Sequence, residues 1–167
     1  VENSLAADLG LSQTDAHFLL FDGGSALVNF AAEFRQDPRF GSLGVTYRPF
    51  GIYLRMTVDD SEFRAELESR LGRSVTAYVG GLSYSQFEDR RRLIESEAAD
   101  ASRIYGRVPR FTFSLDERTG AATLELNPLD DWMIDQSAIP DDVNTVYSEI
   151  GYVGVASYAG VTIDPNQ

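Results

Sequence analysis

The sequence predicts an α+β fold, in which helices at the N-terminus precede two small hairpin–helix–strand (ββαβ) units joined by a helix. Two observations indicate it: paired segments of alternating apolar residues flank turn sequences, and a segment with helical spacing follows each pair. The first unit extends over residues 44–80 and the second over about 110–158. We therefore divide the chain into residues 1–84, a connecting helix at 85–105, and residues 106–167 with a C-terminal tail.

The N-terminal segment is predicted to form two helices that meet at Gly23-Gly24. Ser12 can cap the first helix, and Asp15 follows three residues later, where a carboxylate favours the positive end of a helix. The second helix carries apolar residues at the spacing of one helical face: Leu27, Phe30, Ala31 and Phe34. It ends at Asp37-Pro38, because a residue before proline avoids the α region.

The first unit contains two predicted strands, 45–48 and 52–58, around a turn with proline early and glycine late. A helix then begins at Asp59-Asp60-Ser61. Its apolar stripe consists of Phe63, Leu67 and Leu71. Gly72 stands where a left-handed C-cap is expected, and residues 75–79 form the closing strand.

The connecting helix begins at a capping box formed by Ser85 and Glu88. Three consecutive arginines, 90–92, lie on it among acidic residues. This pattern favours a salt-bridged, solvated face over a phosphate site.

The second unit opens with strands 111–115 and 122–126, joined by the turn 116–120. Pro140 is predicted to begin a helix that ends at Gly151, and its apolar face consists of Val143, Val146, Tyr147 and Ile150. A last strand, 152–158, precedes an extended tail. Residues 129–139 are not assigned. Within them, Trp132, Met133 and Ile134 are either buried between hairpin and helix or exposed as an anchor for a partner.

Composition narrows the classes of partner. The chain lacks cysteine, which excludes disulfides, thiolate nucleophiles and zinc–cysteine sites. All 14 basic residues are arginines between Arg35 and Arg118, whereas residues 1–34 and 119–167 carry only acids, and the net charge is −12. Such a surface disfavours nucleic acid and favours a basic protein partner, unless the acids serve solubility alone. No apolar run approaches the roughly 20 residues of a membrane helix, so we expect no membrane insertion.

No motif predicts catalysis. His17 is the only histidine, it lies in the N-terminal helix, and no Gly-x-Ser-x-Gly elbow is present. The segment 130–142 is acidic but lacks the ligand order of a calcium loop, and neither glycine pair is followed by the Lys-Ser/Thr of a phosphate loop. We predict no catalytic residue, no metal and no cofactor. The sequence therefore predicts a protein that acts by surface contact.

Several segments resemble one family in order and spacing: Leu9–Ser12, Phe40–Gly44, Leu82–Phe87 and the hairpin Phe111–Leu126. Together, over most of residues 5–127, they are similar to the pro-regions of secreted bacterial chymotrypsin-like serine proteases, the α-lytic protease and streptogrisin group. The resemblance implies an intramolecular chaperone, or foldase, that assists folding of a protease and then inhibits it. It also implies a secreted or periplasmic location.

In that family the C-terminal subdomain pairs its sheet with a protease hairpin, and the tail lies in the active site. The resemblance thus implies β-augmentation at strand 122–126 as an open edge, and tail insertion. The implied partner-binding residues are Thr123, Leu124 and Glu125 in the strand and Thr162, Ile163, Asn166 and Gln167 in the tail. The partner would be a serine protease domain, basic in charge. A protein-interaction module of an exported or cell-surface protein, without a protease client, remains the alternative.

Overall fold

The computed structural model describes residues 2–149 and 161–163, and only the backbone at residues 2, 3, 5 and 161–163. The α+β class and the N-terminal helices are confirmed. Within the described residues the chain forms two compact units. Unit 1 comprises residues 2–84, 117–119 and 161–163, and unit 2 comprises 85–116 and 120–149.

The N-terminal segment of unit 1 contains α1 (Glu2–Leu9), α2 (Gln13–His17) and α3 (Gly23–Phe34). Ser12 caps α2 as predicted, because its Oγ accepts the Asp15 N–H at 3.1 Å. The irregularity predicted at the glycine pair is a π-helical turn, Phe18–Asp22, just before it. The wider turn places the Phe18 ring against Gly23, where a Cβ would lie 2.0 Å from that ring. Glycine at position 23 therefore permits this packing.

The sheet of unit 1 has four strands in the order β3-β2-β1-β7. The strands β1 (Phe40–Tyr47) and β2 (Phe50–Met56) form an antiparallel hairpin, β3 (Thr76–Val79) is parallel to β2, and β7 (Val161–Ile163) is parallel to β1. The strand β1 begins five residues before the expected start at Val45. Gly41 and Gly44 interrupt the alternation of apolar residues that would indicate this earlier start. Glycine occupies both positions because a Cβ would collide with the side chain of Arg55 at position 41 and of Tyr53 at position 44.

The crossover from β2 to β3 contains α4 (Ser61–Leu71), as predicted. Asp60 is its N-cap, with Oδ1 accepting the N–H groups of Glu62 and Phe63, and Gly72 ends it in the left-handed conformation, with φ of 61°. Its apolar stripe joins the core of unit 1, whose largest buried members include Phe30, Phe40, Leu43, Leu54, Phe63 and Leu67.

Unit 2 consists of α5 (Tyr84–Tyr105, whose first residue belongs to unit 1) and a sheet of three strands. In order across the sheet they are β4 (Phe111–Leu115), β5 (Ala122–Leu126) and β6 (Val143–Tyr147). The strands β4 and β5 form the predicted hairpin. The helix packs on this sheet through Phe87, whose ring stacks on Phe113 with a centroid distance of 5.0 Å. It begins one residue before the predicted cap, so Ser85 lies in its first turn.

The helix predicted from Pro140 is wrong: Val143–Tyr147 is strand β6, parallel to β5. Val143, Thr145 and Val146 are β-branched, and Tyr147 also prefers strands, so the segment fits a pleated sheet once a neighbouring strand is available. Consequently β5 lies between β4 and β6, and the prediction that 122–126 is an open edge is wrong. The strand predicted at 152–158 lies outside the described residues.

Candidate interaction surface

The main chain of β5 is occupied on both sides. Thr123 and Glu125 face Ser114 and Thr112 of β4, and Leu124 faces Thr145 of β6. Leu124 is fully buried, and the Glu125 carboxylate accepts hydrogen bonds from the hydroxyls of Thr112 and Ser148. Another strand therefore cannot pair with residues 123–125 while this sheet is intact.

Of the four predicted tail residues, the structure describes two. The backbone of Thr162 and Ile163 belongs to β7, opposite Gly44 and Val45 of β1. Insertion of these two residues into a protease would require that pairing to break. Asn166 and Gln167 lie outside the described residues.

The strand β6 forms one edge of the sheet of unit 2, since within residues 2–149 and 161–163 its only strand partner is β5. The Ser148 N–H donates to the Leu126 carbonyl at 3.0 Å, which fixes the direction of the main chain. Main-chain groups alternate sides along a strand, so those of Asn144, Val146 and Ser148 point toward β5. Those of Thr145 and Tyr147 point away from β5. The edge thus offers two outward N–H groups and two outward carbonyls to an added strand.

Side chains along this edge are partly apolar and exposed. Val146 is 38% exposed and Tyr147 is 53% exposed. An added strand would cover both, so the edge combines main-chain pairing groups with apolar surface.

The connection from β5 to β6 is built from two short 3₁₀ turns, Asp131–Met133 and Gln136–Ala138. Met133, which ends the first turn, and Ile134, which follows it, are 5% and 4% exposed and anchor the connection in the core. Trp132 is 59% exposed. The structure therefore divides the predicted apolar triplet: its last two residues are buried, and its tryptophan lies at the surface.

A buried carboxylate also holds this connection. Asp130 is fully buried and pairs with Arg110 at 2.6 Å and Arg107 at 2.7 Å, and it accepts the Arg110 N–H at 3.1 Å. The hydrogen bond from the Arg110 side chain, supported by Arg107, lowers the pKa of Asp130 despite its burial. No local sequence pattern indicates this cluster, because its partners are about twenty positions apart.

A second ion pair lies directly before β6. Arg90 on α5 contacts Asp142 through Nε and Nη2 at 2.9 and 3.0 Å, and this pairing lowers the pKa of Asp142. The other two arginines of the triplet pair within α5: Arg91 with Glu88 and Glu95, and Arg92 with Asp89. The prediction of a salt-bridged arginine face is confirmed.

The charge around β6 is acidic. Unit 2 contains thirteen acidic residues and six arginines, a net charge of −7, and residues 119–149 include no arginine. Asp141 and Asp142 precede β6, Glu149 follows it, and all three are exposed. A basic extended segment would be electrostatically complementary to this edge.

Unit 1 contains a fully buried arginine, Arg55 on β2. Its Nη1 donates to the carbonyls of Gly80 and Leu82 at 2.9 and 2.7 Å, and its Nε donates to that of Glu117 at 3.1 Å. Because backbone carbonyls take up these donors, Arg55 ties together distant segments of unit 1. We interpret it as structural.

The sole histidine, His17, is exposed at the end of α2, with its ring 4.8 Å from that of Phe21. It lines a shallow cavity of about 290 Å³ together with Gln13, Thr14 and Asp22. A larger open groove in unit 1, about 520 Å³, lies beside the first residues of β2 and the segment 73–76. The described residues include no group of His, Asp and Glu side chains arranged to hold a metal ion.

In the described part of the chain, no helix combines the length and apolar character needed to cross a membrane. Comparisons with protein-family models, with curated proteins and with solved structures found no match for this chain.

Proposed function

We propose that the protein is a non-catalytic pro-region that binds a secreted serine protease domain through the outer edge of β6. Binding assists folding of the protease domain and then inhibits the folded enzyme. The observation that carries the proposal is the position of β6, whose Thr145 and Tyr147 direct their main-chain groups away from β5. The resemblance supplies the class of client.

Strand addition explains how one surface could both assist folding of the client and bind the folded client. A hairpin of the client that pairs with β6 gains main-chain hydrogen bonds before the client has completed its own core, and this stabilises its folding transition state. The same pairing persists with the folded client. The acidic surroundings of β6 support a basic client strand.

Any tail insertion is assigned to residues after Ile163. The three residues of β7 are paired with β1, whereas an extended terminal peptide could enter a protease cleft without disturbing that pairing. Thr162 and Ile163 would then act as the attachment point of the tail.

An interaction module without a protease client is the second candidate. It is favoured by one observation: the β6 edge presents main-chain groups, which bind an extended segment with little regard to its sequence. In that case the partner is another basic protein with a free strand.

The experiment compares refolding of a denatured streptogrisin-type protease with and without this chain, followed by inhibition of the mature enzyme. We expect a higher yield of active protease and inhibition by the wild-type chain. Thr145→Pro should abolish both effects, because proline removes one outward N–H without removing a hydrogen bond to β5. Thr145→Val, which keeps that N–H, is the matched control.

Unchanged yield together with uninhibited enzyme would remove the protease client. If the Thr145→Pro variant still raised the yield of active protease, the protease client would stand, but its binding surface would lie outside the β6 edge.

A further inference from the structure

Two exposed aromatic residues of unit 2 that lie outside β6, Tyr105 and Trp132, form a second surface. The rings of Tyr105 and Trp132 meet edge-to-face with a centroid distance of 4.8 Å. The Trp132 Nε1–H donates to the Leu129 carbonyl at 2.9 Å, which fixes the indole in this orientation. Leu129 itself is 70% exposed. We call these three residues, with Arg107, the Trp132 patch.

Arg107 belongs to this patch because its guanidinium lies 5.9 Å from the centre of the Trp132 ring. Its partner Asp130 is buried, so the arginine is held in place while half of its side chain remains exposed. Tryptophan, tyrosine and arginine are the residue types that carry most binding energy in protein interfaces. All three occur here, and the tryptophan is hydrogen-bonded to the main chain of an exposed leucine. Exposed residues of this composition are typical of an interaction site.

The charges at the rim of the patch select the occupant. Arg107 adjoins the Trp132 ring, whereas Asp131 directly precedes Trp132 and Asp135 follows the buried Met133-Ile134 pair. A uniformly basic partner would bring like charge to Arg107, and a uniformly acidic one to Asp131 and Asp135. A second copy of the chain supplies both signs, and in a twofold arrangement the arginine of each copy can face the carboxylates of the other.

We propose that two copies of this protein associate through the Trp132 patch, with Trp132 and Leu129 at the centre of a twofold interface. The net charge of −12 on each copy opposes association at long range, whereas one arginine of each copy supplies the attraction across the interface. Salt screens both, but the repulsion is the larger of the two and the apolar contact is unaffected. Self-association should therefore strengthen from low to physiological salt. Binding of a basic strand at β6 should weaken over the same range, so the two surfaces have opposite salt responses.

The test measures molecular mass by sedimentation equilibrium and tryptophan emission over a dilution series from millimolar to micromolar. Trp132 is the only tryptophan, so its emission reports on this patch alone. We expect a monomer–dimer equilibrium and a shift of emission to shorter wavelength with the same midpoint. Leu129→Asp should weaken the dimer by at least about tenfold, since it places a charge at the centre of the interface. Val58→Asp, at a 55% exposed valine of unit 1, is the matched control and should have no comparable effect.

Charge reversal at Asp131 tests the electrostatic pairing across the interface. Asp131→Arg should weaken the dimer, whereas Asp89→Arg makes the same change in net charge at an exposed site on α5 and should not weaken it. Thr145→Pro should leave the dimer intact, so failure of the β6 proposal and failure of this one are distinguishable. A mass that stays monomeric at every concentration would overturn the proposal, as would emission independent of concentration or equal effects of Asp131→Arg and Asp89→Arg.

Discussion

Both units add a parallel strand to an antiparallel hairpin, but they make the connection differently. In unit 1 the chain passes from β2 to β3 through α4, whose apolar stripe is buried in the core. In unit 2 it passes from β5 to β6 through two 3₁₀ turns that Asp130 and its two arginines hold. Both connections carry ion pairs, but the carboxylates of the first, such as Asp60 and Glu33, are partly exposed, whereas Asp130 in the second is fully buried. The strand proposed to bind a partner is thus the one whose connection contains a buried carboxylate.

The largest expected effect comes from the apolar connection. Leu67→Ala removes a fully buried side chain of α4 and leaves a cavity, so it should lower the free energy of unfolding of unit 1 by about 2–5 kcal/mol. Amide hydrogen exchange of β3 measures this. Leu93→Ala, at a leucine 37% exposed on α5, is the control and should have a much smaller effect. Equal effects would contradict the buried role of α4.

We expect a smaller loss of stability when the charged connection from β5 to β6 is changed. Asp130→Ala leaves Arg107 and Arg110 without their carboxylate, but their side chains are 49% and 30% exposed and can be solvated in part. We therefore expect unit 2 to lose about 1–3 kcal/mol, measured by tryptophan fluorescence in urea. Asp131→Ala, at the neighbouring half-exposed residue, should change stability little. A negligible effect of Asp130→Ala would show that Met133 and Ile134 suffice to hold the connection.

The ion pairs of Asp130 also predict how the stability of unit 2 changes in acid. The pKa of Asp130 is lower in the folded state than in the unfolded chain, so its stabilising contribution is present above the ordinary aspartate value of about 3.9. That contribution is lost as the pH falls through the folded pKa. Asp130→Asn should therefore reduce the loss of unit 2 stability on acidification. Urea unfolding at pH values from neutral to strongly acidic measures it, and an unchanged pH profile would contradict the assignment.

The smallest effect is expected at the ion pair before β6. Arg90 and Asp142 are 31% and 42% exposed, so solvent screens their attraction. Arg90→Ala should cost roughly 0.2–1 kcal/mol, compared with Arg92→Ala, at a 70% exposed arginine, as control. A larger cost would mean that this pair, rather than Asp130, positions β6.

The two connections also explain which parts of the fold the sequence could predict. The limits of α4 follow from neighbouring residues: Asp60 caps it, Phe63, Leu67 and Leu71 form its stripe, and Gly72 ends it. The segment after Pro140 carries similar signals, with two aspartates and apolar residues at helical spacing. Its β-branched residues form a strand instead, because β5 lies beside it in the folded chain. Local periodicity contains no information about that neighbour.

The candidate surface was predictable to the same limited degree. The hairpin 111–126 follows from alternation and a turn, so residues 123–125 were placed correctly in a strand. Which strand lies at the edge is decided by β6, about twenty residues later. The role of Asp130 depends on Arg107 and Arg110, and the exposure of Trp132 depends on the burial of Met133 and Ile134. These are tertiary relations, without a local pattern.

The central claim, an open outer edge on β6, is tested most directly by residue-resolved amide hydrogen exchange of the free protein. We predict fast exchange for the N–H groups of Thr145 and Tyr147 and slow exchange for those of Val146 and Ser148, which face β5. Addition of a refolding protease domain should then slow Thr145 and Tyr147 alone within this strand. Protection of Thr145 and Tyr147 in the free protein, equal to that of Val146 and Ser148, would contradict the account.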